Sequence, residues 1–188
     1  MLLHWVIALG ILCLIAIGLV MTQLHITPML QFKLYQLHKS IGITVLLASV
    51  LRLLWRSGHP PPPLPDHLPA LERHAAEGMH RLLYGFMLGL PLTGWALVSV
   101  SPYNIPTVLY GWIPWPHLPI LSGLHDKVAA DALLSKIHAY GAWVLIALLA
   151  VHAGAALRHH FMLRDDVLAR MLPRFGRRTA SIRQQEPS

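Results

Sequence analysis

The sequence predicts an all-α integral membrane protein, built as a bundle of four transmembrane helices. Of its 188 residues, 55% are hydrophobic and only 12% are charged, whereas soluble domains carry about 25% charged residues. Four apolar segments are each long enough to cross a bilayer, which takes roughly 20 helical residues. Polar or proline-rich stretches separate these segments, so the chain can cross the membrane four times within one domain.

The predicted helices are, in chain order, residues 2–21, 37–56, 78–100 and 136–158. Together they form one transmembrane domain that we expect to cover residues 1–173. Residues 174–188 are polar and basic, and we expect them to form a disordered cytoplasmic tail. A cleaved signal peptide is the alternative for the first segment. It is disfavoured because no lysine or arginine precedes Lys33, whereas a signal peptide has a basic start and a small-residue cleavage site.

Three connections join the predicted helices. The first, residues 23–36, is a short polar loop. The second, residues 58–71, is too rich in proline to be helical, because proline lacks a backbone donor, so we expect a polyproline-like segment. The third, residues 101–133, is the longest loop, and its tryptophans suit a membrane interface. Pro91 lies inside the third helix and predicts a kink there.

The charged residues predict how the helices are oriented. All eleven arginines fall on one side of the predicted bundle and all four lysines on the other. Because cytoplasmic loops carry the excess of positive charge, the arginine side and both termini are predicted to face the cytoplasm. The net charge of +7 does not indicate nucleic-acid binding, since the arginines flank apolar segments. Cys13, the single cysteine, excludes an intramolecular disulfide and a cysteine-ligated metal cluster.

Four of the thirteen histidines sort into pairs by membrane depth. With alternating spans, His4 and His152 share the cytoplasmic level, and His38 and His138 share the outer level. His138 and His152 lie on nearly one face of the last helix, about 21 Å apart along its axis. Each pair comes from two different helices, which is how a bundle holds a cofactor between facing helices. A histidine at a helix end is, taken alone, more often a solvated residue, but two pairs matched in depth are hard to obtain by chance.

The pairs favour b-type haem over other metal sites. Two histidines are too few for a closed zinc site, whereas haem needs two axial ligands and imidazole suits iron. Two pairs predict two haem b groups with no position open for oxygen, hence electron transfer. We expect small residues near the candidate ligands to leave room for the porphyrin, namely Gly42, Gly141, Ala153, Gly154 and Ala155.

Two further groups are candidate substrate sites. His80 and His159, with Arg158, lie near the cytoplasmic face and could hydrogen-bond a quinone carbonyl, although contact with lipid headgroups is an equal alternative. At the outer face, Lys39 and Lys136 lie beside the candidate ligands and could attract an anion to the outer haem. Ordinary anchoring at the membrane interface is the alternative for these lysines.

Several stretches of the chain resemble the bacterial cytochrome b561 family. They are LHW at 3–5, LHKSIGITVLLASVLRLLWR at 37–56, LPLTGW at 90–95, KIHAYGAWVLIALLAVHAGAALRHHF at 136–161 and RDDVLARMLP at 164–173. The resemblance implies a four-helix bundle of the bacterial inner membrane with two bis-histidine b haems. It also implies that His4 pairs with His152, and His38 with His138, as axial ligands.

The same resemblance implies an activity. One member type is a superoxide oxidase, which takes electrons from periplasmic superoxide and passes them to ubiquinone, and it implicates His80 and His159 at the quinone site. One alternative is a quinol-linked cytochrome subunit that exchanges electrons with a periplasmic redox partner. The other is a non-redox membrane protein for binding or transport.

Overall fold

The structure, a computed structural model, describes residues 2–59 and 69–163. Most of the proline-rich connector and the whole tail, with the predictions made for them, lie outside the described residues. The elements are α1 (Leu2–Gln23), α2 (Pro28–Gly58), α3 (Ala70–Val100), β1 (Thr107–Leu109), β2 (Ile113–Trp115), α4 (Pro119–Ser122) and α5 (Lys127–Arg158), followed by a π-helical turn (His159–Leu163).

The fold class predicted from the sequence is confirmed. Four helices, α1, α2, α3 and α5 with its π-helical extension, are long and apolar enough to cross a membrane. They pack in chain order, α1 against α2, α2 against α3, and α3 against α5. Many large apolar side chains on these helices are exposed on the outside of the bundle, as lipid contact requires.

The second helix begins earlier than predicted. Pro28 occupies its first turn, where the missing N–H has no helical acceptor to lose. The Thr27 hydroxyl caps the helix by accepting a hydrogen bond from the Leu30 N–H at 3.4 Å. The predicted loop at 23–36 is therefore wrong from Pro28 onward, because this proline starts a helix rather than ending one.

The last two spans also begin earlier than predicted, at Ala70 and Lys127. The Asp126 carboxylate caps α5 by accepting a hydrogen bond from the Ala129 N–H at 3.0 Å. The loop predicted at 101–133 is thus wrong in its last part. In both spans, polar N-terminal turns extend the helix beyond its apolar part, and hydropathy detects only the apolar part. The chain remains helical through Pro91, and the kink stays a prediction.

A small apolar core lies where the helices meet. Its buried members are Ile7, Ile11, Val45, Leu83, Met87 and Leu145. Two glycines allow the helices to approach closely. A Cβ added at Gly10 would lie 2.7 Å from Val45 Cγ2, and one at Gly141 would lie 2.9 Å from Leu90 Cδ2. Gly141 therefore serves helix packing against Leu90, and the expectation that it leaves room for a porphyrin stays a prediction.

The segment after α3 forms a β-hairpin that is fastened to α2. Strands β1 and β2 pair antiparallel, and Tyr110 at the turn has a φ of 53°, which is uncommon for a residue other than glycine. Two hydrogen bonds hold it there: its N–H donates to Ser40 Oγ at 2.9 Å, and its hydroxyl pairs with Thr44 Oγ1 at 2.7 Å. Gln36 Nε2 also donates to the Pro106 carbonyl at 3.1 Å.

The same segment is also fastened to α3. Trp95 Nε1 donates to the Pro116 carbonyl at 2.9 Å, and the Leu118 N–H donates to Ser99 Oγ at 2.9 Å. A region predicted to be an irregular loop is thus an ordered cover over one end of the bundle. We call this the hairpin end, and the end that carries His4 the opposite end.

Candidate functional site

His38 of α2 and His138 of α5 face each other at the hairpin end, as predicted. Their ring centroids are 6.3 Å apart, and the ring planes are inclined at 72°. An imidazole nitrogen lies about 2.0 Å from a bound transition metal such as zinc and about 1.1 Å from its own ring centre, so two rings sharing one metal have centroids roughly 6 Å apart. The separation observed is therefore the one that a single bridging metal ion needs.

A cavity of about 570 Å³ adjoins these two rings. It lies between α1, α2, α3 and α5, its walls are mainly apolar, and its size falls within the range of cofactor pockets. Gly94 keeps space beside the His138 ring, because an added Cβ would lie only 3.2 Å from His138 Cε1. Gly18 faces the His38 ring, and a Cβ there would meet His38 Cε1 at a contact distance of 3.6 Å. Gly42 also lines the cavity, and a Cβ there would meet nothing within 4 Å.

The hydrogen bonds of His138 prepare it to bind a metal. Thr93 Oγ1 donates its single proton to the Leu90 carbonyl at 2.8 Å, so it must accept at its 3.0 Å contact with His138 Nδ1. Nδ1 then carries the ring proton, and Nε2 keeps its lone pair for a metal. The buried Nδ1 of His38 has no hydrogen-bond partner among the described residues. Nothing described therefore competes for that nitrogen.

The ligand count also fits haem. Within residues 2–59 and 69–163, no group of three or more histidine, cysteine or acidic residues could hold a metal ion by itself. A metal at the hairpin end would have to bring further ligands of its own, as the porphyrin nitrogens of haem do. The residues at this end therefore fit a bis-histidine haem.

At the opposite end, the structure brings together more residues than the predicted pair. His152 of α5 packs against His80 of α3, with ring centroids 5.7 Å apart. His4 is near enough to interact electrostatically with both, but its closest polar contact is Arg52, whose Nη1 lies 3.0 Å from His4 Nδ1. The pairing of His4 with His152 as ligands stays a prediction, and His80 lies directly beside that site.

The contact with Arg52 determines which nitrogen of His4 carries the proton. A guanidinium can only donate, so Nδ1 of His4 must accept and the ring proton must be on Nε2. An imidazole with a proton on Nε2 cannot offer that nitrogen to a metal. His4 can bind iron through Nε2 only if Arg52 leaves His4 Nδ1 and donates to another acceptor instead.

The other members of the predicted quinone group lie near this cluster. Arg158 is half-exposed and forms an ion pair with Glu72 at 3.5 Å. His159 is half-buried in the first residue of the π-helical turn. Arg158 therefore already has a carboxylate partner, and His80 is the member that the structure places beside a candidate ligand.

The two predicted anion-attracting lysines have different surroundings. Lys39 is half-buried and lines the cavity at the hairpin end, where Asp131 and Ser135 also contribute to the wall. Lys136 is exposed and is not among the residues that line the cavity. Only Lys39 is thus placed to act directly at the cavity.

Three contributors to these sites were missed from the sequence, namely Gly18, Arg52 and Thr93. A threonine within LPLTGW is polar in an otherwise apolar span, and Arg52 lies within an apolar span as well. Both are signals of a buried partner. Gly18 gave no comparable signal, because its role depends on the rotation of α1 relative to His38.

The sequence model of the prokaryotic cytochrome b561 family matches residues 1–174. The chain belongs to the prokaryotic cytochrome b561 family. Cytochrome b561 homolog 2 of Escherichia coli (strain K12) is 35% identical over 170 residues, which are 90% of this chain and 86% of the relative.

Two further relatives match a smaller part of this cytochrome b561 chain. Cytochrome b561 homolog 1 of the same strain is 33% identical over 137 residues, 73% of each protein. A protein of Yersinia pestis named probable superoxide oxidase CybB is 31% identical over 140 residues, 73% of this chain and 74% of the relative.

Membership of the cytochrome b561 family establishes the general role of the chain. Family members bind haem b, and this chain is a membrane-embedded electron-transfer protein with transmembrane helices. The resemblance seen in the sequence is confirmed. Family membership also favours both redox interpretations over a non-redox binding or transport protein.

Proposed function

We propose that this protein is a superoxide:ubiquinone oxidoreductase of the bacterial inner membrane. Two superoxide anions each give up one electron and leave as oxygen. One ubiquinone takes up both electrons and two protons from water and leaves as ubiquinol. Oxidation takes place at the hairpin end and quinone reduction at the opposite end.

The observation that carries this proposal is the placement of imidazoles at both ends of one bundle. His38 and His138 face each other across 6.3 Å at the hairpin end, and His4, His80 and His152 lie together at the opposite end. His38 with His138, and His4 with His152, would hold two haem b groups through their imidazoles. Haem b with two imidazole ligands supplies one-electron chemistry and leaves no iron position open to oxygen. The protein itself supplies ligands, orientation and exclusion of water.

Superoxide would enter at the hairpin end. The half-buried ammonium group of Lys39 lines the cavity there and would attract an anion. Lys136 lies two residues before His138 but is exposed, so it would attract the anion only at longer range. The negative charge of Asp131, in the same cavity wall as Lys39, opposes the attraction by both lysines. The name of the Yersinia relative supports superoxide as the substrate.

Quinone would be reduced at the opposite end. His80 packs against His152, so a quinone carbonyl that accepts a hydrogen bond from His80 would lie close to this candidate ligand. His159 and Arg158 complete the group that we propose to contact ubiquinone. The orientation follows from the charges: the arginine-rich opposite end and both termini would face the cytoplasm, and the hairpin end the periplasm.

The proposal is tested with pulse-generated superoxide and the purified protein in lipid nanodiscs that contain ubiquinone. We expect haem reduction near the diffusion-limited rate, with a rate constant that falls as salt is added. Lys39→Gln should lower the rate constant by about tenfold and weaken the salt dependence, and Lys136→Gln should lower it less. Slow reduction that does not respond to salt would exclude superoxide as the physiological donor.

A second candidate is a cytochrome subunit that exchanges electrons with a periplasmic protein. Its support is the hairpin end, where Trp112 and Ile120 are each 87% exposed and could contact a partner. In that case quinol alone would reduce the haems, and superoxide would do so only slowly. Replacement of Trp112 with serine would then slow electron transfer to the partner without changing reduction by quinol.

A further inference from the structure

Two arginines of α2 lie against one tyrosine ring at the opposite end. Arg52 and Arg56 are four residues apart and so share a helix face. Their guanidinium carbons lie 5.6 Å and 5.3 Å from the ring centroid of Tyr84, and Arg56 Nη1 donates to the Tyr84 hydroxyl at 3.3 Å. Tyr84 belongs to α3, so the two positive charges are held together between two helices.

These two charges have no carboxylate partner among the described residues. Within residues 2–59 and 69–163, the two acidic side chains at this end already have partners, because Glu77 pairs with Arg81 and Glu72 pairs with Arg158. Both Arg52 and Arg56 are half-buried, and unpaired charges at membrane depth are costly. The pair therefore needs an anion, and a guanidinium is shaped to bind a carboxylate or phosphate through two parallel hydrogen bonds.

Two sources could supply that anion, a haem propionate or a lipid headgroup phosphate. The contact of Arg52 with His4 favours the propionate, since it places the guanidinium against a candidate axial ligand. Before His4 Nε2 can bind iron, Arg52 also has to move its hydrogen bond from His4 Nδ1 to another acceptor. A propionate on the same haem is an acceptor that would arrive together with the iron.

Resting on the two-haem assignment made above, we propose that Arg52 and Arg56 bind the propionates of the haem at the opposite end. Arg52 releases His4 Nδ1 as its guanidinium donates to the propionate, and the ring proton moves from Nε2 to the freed Nδ1, which leaves the Nε2 lone pair for iron. Tyr84 holds both guanidinium groups in place. Haem binding and preparation of the His4 ligand are thus one event. The residue types at this end fit haem, because the three imidazoles suit its iron and the two arginines suit its two propionate carboxylates.

The test compares haem with haem dimethyl ester, in which both propionates are neutral. The full-length protein is purified from a host that cannot make haem and placed in nanodiscs, and binding of each compound is followed by absorption. For the wild type, the site at the opposite end should prefer haem over the diester by roughly tenfold or more for each lost charge-assisted contact. The site at the hairpin end is the internal reference.

Arginine variants then assign the preference to residues. In Arg52→Gln and Arg56→Gln the preference should fall by roughly tenfold, and the midpoint potential of that one haem should fall because a nearby positive charge is lost. Arg81→Gln is the matched control, an arginine of the same end that is exposed and paired with Glu77. Arg52→Lys and Arg56→Lys keep the charge and should keep most of the potential, even if the glutamine variants fold poorly.

Each outcome decides between the two anion sources. An undiminished preference for haem in both glutamine variants would overturn the proposal. The other decisive result is a wild type that shows no preference for haem over its diester and loses stability only when anionic lipid is left out of the nanodiscs. That result would assign the arginines to a lipid phosphate. The number of haems bound by the wild type is read separately, so a failed two-haem assignment can be told apart from a failed arginine assignment.

Discussion

The two ends of the bundle hold similar residues in opposite chemical states. At the hairpin end, Thr93 accepts from His138 Nδ1, which leaves Nε2 free for a metal. At the opposite end, Arg52 donates to His4 Nδ1, which places the ring proton on Nε2. His138 and His4 therefore differ in which ring nitrogen is available to iron because of a single neighbour each. This difference shows that the hydrogen-bond partner of a histidine, and not its depth in the membrane, determines which ring nitrogen is available to a metal.

The largest expected effect comes from removing a ligand at either end. His38→Ala should lose the haem of the hairpin end and keep the other, and His152→Ala should do the reverse. The haem content per chain and the reduced-minus-oxidised spectrum of the purified variants measure this. His25→Ala is the control, because His25 is exposed between α1 and α2. If both haems persisted in either ligand variant, our ligand pairing would be wrong.

A change in the spacing along α5 should break the relation between the two ends. Insertion of one alanine between His138 and His152 rotates one histidine by about 100° relative to the other. We expect one haem to be lost, because His138 and His152 can no longer both face their proposed partner histidines. The haem content measures the outcome, and an alanine inserted after Lys127, before both histidines, is the control. Two retained haems would show that α5 does not supply both ligands.

A smaller effect on haem binding should follow from replacing Thr93, which accepts a hydrogen bond from His138 Nδ1. Thr93→Val keeps the shape of the side chain but leaves His138 Nδ1 without its acceptor. Loss of such an outer partner costs about 10- to 100-fold in metal affinity, so haem at the hairpin end should dissociate faster, while the other haem is unchanged. Transfer of haem to apomyoglobin measures the rates. Thr22→Val is the control, since the Thr22 hydroxyl donates to the Gly18 carbonyl of its own helix. Equal rates for Thr93→Val and the wild type would contradict our assignment of the tautomer.

The smallest expected effect concerns the cover of the hairpin end. Tyr110→Phe removes the hydroxyl contact with Thr44 and should lower the free energy of unfolding by about 1 kcal/mol. Thermal unfolding in detergent measures it, and Tyr103→Phe serves as the control because that ring is 80% exposed. The optical spectrum of the haem should not change in either variant. A spectral change with Tyr110→Phe would mean that the hairpin acts on the cofactor site itself.

Depth in the membrane could be predicted from the sequence, but rotation about each helix axis could not. Hydropathy located the four spans and placed His38 level with His138, and the structure brings these two rings together. It did not show that His80 packs against His152, or that Arg52 reaches His4. Those contacts depend on which face each helix turns to its neighbour. An almost uniformly apolar span has no polar and apolar periodicity that would identify this face.

The start of α2 and the hairpin were missed for a different reason. Pro28 and the prolines between 101 and 119 predict interruptions of regular structure, although a proline can equally begin a helix or lie in a short strand at a sheet edge. The hairpin and the residues that follow it are held by hydrogen bonds in which the Tyr110 and Leu118 N–H groups donate to Ser40 Oγ and Ser99 Oγ. Such partners are distant in sequence and leave no periodic pattern.

The position of α5 in the chain has a consequence for biogenesis. A ribosome releases α1, α2, α3 and the hairpin before it releases α5, and under the proposed pairing α5 carries one ligand for each haem. Neither site can be completed on a nascent chain that lacks this helix. Haem would therefore be loaded after the last span has entered the membrane, and a chain truncated before Lys127 should be inserted yet remain colourless.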